Sequence, residues 1–220
     1  MDRLEQIMSE LEDFIGDRFE RNIDEMHSYF EENYEKETND FASHLKDIYL
    51  LAINQQKSEK KAGIKYLHIA FLRSSLLTES YNLKLSLYSE KFYMDKTETS
   101  IYWKPGFIFK YIDGDMAEAK ELLIKKSAIT QISEFDLKEL RYAYAQMYLP
   151  VCLPFIGDLV EGAMEIIVQD EWEVPVMTDD FSVIYGGHME KGYTVYPITE
   201  NNPADVEDVE EIEEVQEREQ

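Results

Sequence analysis

Apolar residues recur every three or four positions from Leu4 to Tyr34: Leu4, Met8, Leu11, Ile15, Phe19, Ile23, Met26, Phe30 and Tyr34. That spacing follows the 3.6-residue period and predicts an amphipathic helix over residues 3–35 whose stripe has to be covered. Ile7 and Phe14 widen the stripe beyond the narrow seam of a two-stranded coiled coil, which favours packing on the rest of the chain. The opposite face carries Glu5, Glu12, Asp13, Asp17, Glu20, Asp24 and Glu31. Gly16 costs the helix interior about 1 kcal/mol relative to Ala, which a helix this long tolerates.

The charge is unevenly placed. The formal net charge is −24, yet residues 1–40 hold 14 acids against 4 bases, and residues 203–220 hold 9 against 1. The middle is close to an ordinary globular balance, and both ends are anionic. Phosphate backbones and anionic lipid headgroups repel such a chain, so neither nucleic acid nor a membrane is an expected partner. Lys57, Lys60, Lys61 and Lys65 form a local basic run, which reads as a solvated loop and helix start. With 44% apolar and 13% aromatic residues, the chain has material for a true core.

Thr38-Asn39-Asp40 supplies cap residues for a second helix with Phe41, Leu45, Ile48 and Ala52 on its face. A third helix is predicted over 64–77 from Leu67, Phe71 and Leu76. At Tyr81 the period changes to two: Tyr81, Leu83, Leu85 and Leu87 alternate with polar neighbours, as in a half-buried antiparallel strand. Residues 91–94 and 99–104 are further strand candidates, and Pro105-Gly106 suits a type II turn. A helix is expected over 116–127. Ser133-x-x-Asp136 resembles a capping box that opens another over 134–148, with a continuation beyond Pro150 and Pro154 to Ile167. Phe181, Val183 and Tyr185, then Tyr193 and Val195, read as a β-hairpin whose loop glycines, Gly186, Gly187 and Gly192, serve positive φ angles.

The expected fold is therefore α+β: an N-terminal helical group, a small antiparallel sheet, further helices and a C-terminal β-hairpin. Residues 1–202 form one domain, divided into 1–78 mainly helical, 79–112 strand-rich, 113–170 helical and 174–199 hairpin. Residues 203–220 are an acidic tail with the composition of a disordered segment. The lone cysteine, Cys152, lies in an apolar context, excludes an intramolecular disulfide and fits a reducing compartment. Acids interrupt the N-terminus too often for a secretory leader. The longest apolar run, Val151 to Val160, is too short to span a bilayer and contains Pro154 and Asp158. A soluble, cytoplasmic protein is expected.

No catalytic, metal or nucleotide signature stands out, so no cofactor, metal or catalytic residue is assigned. His27, His44, His68 and His188 lack zinc spacing, and read as surface or core-edge residues. Asp113-Gly114-Asp115 reads as a turn and an N-cap rather than a cation site. Arg73 and Arg141 lie in otherwise uncharged stretches, where a cation needs a carboxylate partner or a ligand anion; together they are the candidate anion-binding pair. Trp103, Tyr185, His188 and Tyr193 are the candidate interface residues, because Tyr and Trp bury area at little entropic cost. The leading functional expectation is a non-enzymatic protein-binding module of adaptor, inhibitor, immunity-like or antitoxin-like type, recognising a basic protein partner. The alternatives are an enzyme of unfamiliar type that binds a small anion through Arg73 and Arg141, and a homo-oligomer built on the first helix. The oligomeric state itself is left open.

Overall fold

The Ile64–Phe71 stretch is the central strand of a sheet, not the helix its 64, 67, 71 spacing imitates. Both faces of this strand are covered: Leu67 and Ile69 are buried on one, His68 and Ala70 on the other. A doubly buried strand shows no polar alternation, and three apolar residues at helical intervals then mislead. In the computed structural model, which describes residues 3–126, 132–190 and 192–197, the fold is α+β. The elements in chain order are α1 (Arg3–Glu10), α2 (Glu12–Lys57), β1 (Ile64–Phe71), α3 (Arg73–Leu77), β2 (Leu83–Tyr88), β3 (Ser100–Trp103), α4 (Gly106–Phe109), α5 (Ile112–Lys126), α6 (Glu134–Gln169), β4 (Met177–Gly187) and β5 (Gly192–Tyr196). The acidic 203–220 segment lies outside the described residues. No described helix is long and apolar enough to cross a membrane.

These elements gather into two compact units that do not follow chain order. Among the described residues the first comprises 3–34, 73–82, 104–126 and 132–155, and the second 35–72, 83–103, 156–190 and 192–197.

The first unit is helical. The predicted stripe is used: Ile7, Leu11, Ile15, Met26 and Phe30 are buried. Phe30, Phe107 of α4 and Phe155 of α6 form an aromatic cluster with ring centroids 5.0–5.9 Å apart. Such ring pairs stabilise by about 0.5–1.5 kcal/mol each beyond their buried area. The helix breaks after Glu10 and again at Asn33, where φ is −120° and the side-chain amide donates to the Tyr29 carbonyl. Thr38, Asn39 and Asp40 lie inside α2 and cap nothing. Ser133 and Asp136 do form the predicted reciprocal box: Ser133 N–H donates to Asp136 Oδ2 at 2.8 Å, and Asp136 N–H to Ser133 Oγ at 3.1 Å. From there α6 continues through Pro150 and Pro154. Each proline removes a helical donor. Burial of Tyr148, Leu149, Cys152 and Phe155 around them outweighs that cost. Cys152 is a buried thiol donating to the Tyr148 carbonyl.

The second unit carries the five-stranded sheet, in the order β3-β2-β1-β4-β5. Neighbouring strands run antiparallel except β1 and β4, which are parallel. The hairpin is therefore part of the same sheet. The face formed by Leu67, Ile69, Leu83, Leu85, Val183, Tyr185 and Trp103 is apolar, and Phe41 of α2 meets Trp103 on it at 4.8 Å. The opposite face is covered by a short 3-10 turn, Phe92–Met94, where a strand was expected over 91–94. Phe92 packs on Tyr66 and Tyr88, at centroid distances of 5.1 and 4.8 Å. Pro105-Gly106 opens α4 rather than a type II turn.

In the hairpin loop the positive φ falls on Met189 (63°), and no described glycine has one. Gly192 is there for a different reason: a Cβ on it would stand 2.5 Å from Ile184 Cγ2 and 3.4 Å from the Tyr185 carbonyl oxygen. Gly192→Ala is expected to lower stability by about 1–3 kcal/mol through overpacking. A urea melt checks this, and an unchanged midpoint would refute the close approach.

Candidate functional site

The outer side of residues 3–34 is a carboxylate surface. Glu5, Glu12, Asp13, Asp17, Glu20, Asp24 and Glu31, the acids opposite the stripe, are all exposed, as are Glu25 and Glu32. On the apolar side Ile7, Leu11, Ile15, Met26 and Phe30 are buried in the core of the first unit.

On this surface lies a hollow of about 360 Å³ lined by Arg21, Asp24, Glu25, Ser28, Tyr29, Glu32, Lys110 and Tyr111. The α2 residues recur at three- and four-residue intervals and so share one helix face. Lys110 and Tyr111 come from the joint between α4 and α5. Tyr29 is braced from below: its ring stacks on the buried Phe107 at 6.0 Å and an interplanar angle of 16°. The Lys110 ammonium sits 4.5 Å from the Tyr29 ring centroid and 4.8 Å from that of Tyr111, within cation–π range of both. Among the described residues Lys110 forms no ion pair, and neither do Asp24 and Glu32. Arg21 answers Glu25 at 4.0 Å. The Tyr111 hydroxyl is buried and has no hydrogen-bond partner among the described residues. The site thus has the parts of a cation receptor: two ring faces, an acidic rim, and an internal lysine resting on the rings.

The arginines are placed differently from the expected anion pair. Arg141 donates to the Tyr81 hydroxyl at 2.8 Å and pairs with Asp113 and with Glu79, the latter at 3.5 Å. Its charge is already answered by two carboxylates. Arg73 is exposed, with its guanidinium 4.9 Å from the Tyr142 ring, so it needs no buried counter-charge. Asp113 and Asp115 both lie within the first turn of α5, and neither is its N-cap. Asp115 is buried and accepts from Asn22 Nδ2 at 2.6 Å and from the Tyr144 hydroxyl at 2.7 Å. Burial of Tyr144, then its hydrogen bonds with Tyr148 and Asp115, push its hydroxyl pKa strongly upward. This network ties α2, α5 and α6 together within the first unit.

Of the interface candidates, Trp103 and Tyr185 are core residues, at 1% and 2% exposure. Trp103 Nε1–H donates to Asp40 Oδ2 at 3.0 Å, which satisfies the indole inside the second unit. His188 and Tyr193 stay nearer the surface. The His188 ring meets the edge of Tyr93 at 5.2 Å, and Tyr193 opposes Tyr185 across β4 and β5. Lys61, expected to be solvated, is buried.

His68 is also buried, and its Nδ1 lies within hydrogen-bonding distance of Tyr93 Oη, at 3.4 Å. Burial, then the nearby His188 and Lys84, lower the His68 pKa to about 4. Among the described residues no group of three or more His, Cys, Asp or Glu is placed to hold a metal ion.

The hollow was missed because its halves lie about 80 residues apart and neither carries a motif. The one available signal was the Lys110-Tyr111 pair in a chain whose first helix is strongly acidic. Compared with known proteins, the chain matches no family model, no curated protein and no solved structure.

Proposed function

We propose that this protein is a non-catalytic binding module that recognises a basic protein partner through the acidic outer face of residues 3–34. The observation that carries this reading is the hollow rimmed by Asp24, Glu25 and Glu32 on a surface rich in exposed carboxylates. Such a field steers a basic partner and raises its association rate more than its final affinity. An adaptor, an inhibitor and an immunity- or antitoxin-like protein all use this physics, and a reducing cytoplasmic setting suits the single buried thiol. The anion-binding enzyme reading draws less support, because Arg141 is already paired.

The test is capture from host lysate at low and high ionic strength, with Asp24→Asn/Glu25→Gln/Glu32→Gln as control. A basic protein is expected to be retained at low salt and released at high salt. The triple variant is expected to slow its association about tenfold or more, measured by surface plasmon resonance. A retained partner that is acidic, or an association rate unchanged by salt and by the variant, would overturn the proposal.

A further inference from the structure

The hollow also indicates what the partner places in it, an inference that rests on the basic-partner reading above. Lys110 is exposed and carries a mobile four-carbon stem, yet its ammonium lies over two tyrosine rings rather than on any carboxylate. Asp24 and Glu32 stand on the same rim with no ion pair of their own among the described residues. A cation–π contact at an exposed site stabilises by about 0.5–1 kcal/mol, so an incoming cation can displace the lysine. Tyr29 has less freedom to move, since Phe107 backs its ring. The Tyr111 hydroxyl is buried, so what Tyr111 offers to the hollow is its ring. At about 360 Å³ the space suits one side chain with its solvent, near the lower end of the roughly 300–1,000 Å³ range of ligand sites.

We propose that Tyr29 and Tyr111 form a cation cage, that Lys110 is its resting occupant, and that a lysine-type ammonium side chain of the partner replaces it. Ammonium and methylated ammonium share this chemistry, because the ring quadrupole attracts both, and the acidic rim supplies the longer-range attraction. Lys110 then acts as a competitor in place: it keeps the rings covered until a partner with several cations arrives.

The experiment follows the tyrosine ring signals of the full chain by NMR while three capped amino acids are titrated: lysine, trimethyl-lysine and norleucine. Tyr29 and Tyr111 signals are expected to shift with the two cations and not with norleucine. Lys110→Met leaves the rings without a competing charge, and is expected to tighten cation binding about two- to fivefold. Tyr29→Leu and Tyr111→Leu are expected to abolish it. Lys110→Met alters an exposed side chain, so it remains informative if a tyrosine variant fails to fold. Tighter binding of trimethyl-lysine supports a methylated partner residue, and equal binding supports an unmodified one. No ring shift with either cation, equal shifts with norleucine, or unchanged affinity in Lys110→Met would overturn the cage. The two proposals fail separately. Salt-sensitive capture that survives Tyr29→Leu, with no ring titration, removes the cage and leaves the basic partner. Ring titration without any salt-sensitive capture leaves a small-cation site and removes the partner.

Discussion

Lys61→Met is expected to destabilise the second unit by about 3 kcal/mol, among the largest effects of any single substitution in the chain. The Lys61 ammonium is buried, its side chain 1% exposed, and all three of its donors are used. They reach the Leu87 carbonyl at 2.7 Å, Asp95 Oδ2 at 3.0 Å and the Thr97 carbonyl at 3.0 Å. Methionine keeps much of the stem and removes the charge. What remains is a carboxylate and two carbonyls that have lost their donor, and the penalty for leaving them unmade exceeds the net value of the bonds. Asp95 retains Ser89 N–H and Ser89 Oγ–H as donors, which keeps the loss below that of a fully stranded anion. The measurement is urea unfolding of Lys61→Met, Asp95→Asn and the double variant. A coupling energy of about 1–3 kcal/mol is expected, and near-additivity of the two single changes would show the pair to be unimportant.

Acid is expected to weaken the same unit from about pH 6.5 downward, before Asp95 begins to titrate. His68 is buried among Tyr88, Phe92 and Tyr93, and its pKa of about 4 lies below the usual 6.5 of the unfolded chain. The groups that influence it are His188 from the end of the hairpin, itself lowered by burial and by Lys84, and Lys84 on β2, paired with Glu98. Below pH 6.5 the unfolded chain takes up a proton on this residue and the folded chain does not. Stability is therefore full above about pH 6.5, falls as the pH drops, and levels off below about pH 4. The full loss comes to about 3 kcal/mol at 1.36 kcal/mol per pKa unit. The Asp95 pKa is lowered, chiefly by its bonds to Ser89 and Lys61 against the opposing effect of burial. Its stabilisation is present above its usual 3.8 and is lost only as the pH falls below that, so the two windows separate. Unfolding free energies between pH 7.5 and 4.0 should slope for the parent chain and lie much flatter for His68→Gln. Equal slopes would mean that His68 titrates normally.

How much of this was legible beforehand depended on which residues carried the signal. The first helix was readable because Leu4 to Tyr34 repeat one period for thirty residues, and the 133–136 box because capping uses two side chains three positions apart. β2 was readable as a strand from the alternation of Leu83, Leu85 and Leu87 with polar neighbours, although Ser86 and Tyr88 on the expected outer face are buried as well. β1 was not, because both of its faces are covered, and neither were Pro150 and Pro154 as helix-interior residues, since local preference predicted breaks there. For the candidate site, the acids and their exposure followed from the helix pattern. The rings did not, because Tyr29 meets Lys110 and Tyr111 only through folding. Trp103 and Tyr185 were drawn as interface residues from a chemistry that serves cores equally well.

By itself the sequence determined what local physics encodes: the amphipathic stripe, the acidic face opposite it, the capping box, the β2 alternation and the hairpin. Each depends on residues within a turn or a strand of one another. Tertiary structure decided whatever rests on distant pairs. It made 64–71 a strand by covering its second face, buried Lys61 by bringing three acceptors to it, and carried α6 through two prolines by packing their neighbours. It also brought Tyr29 to Lys110 and Tyr111. Burial and counter-charge depend on which distant segments meet, and no local period records that.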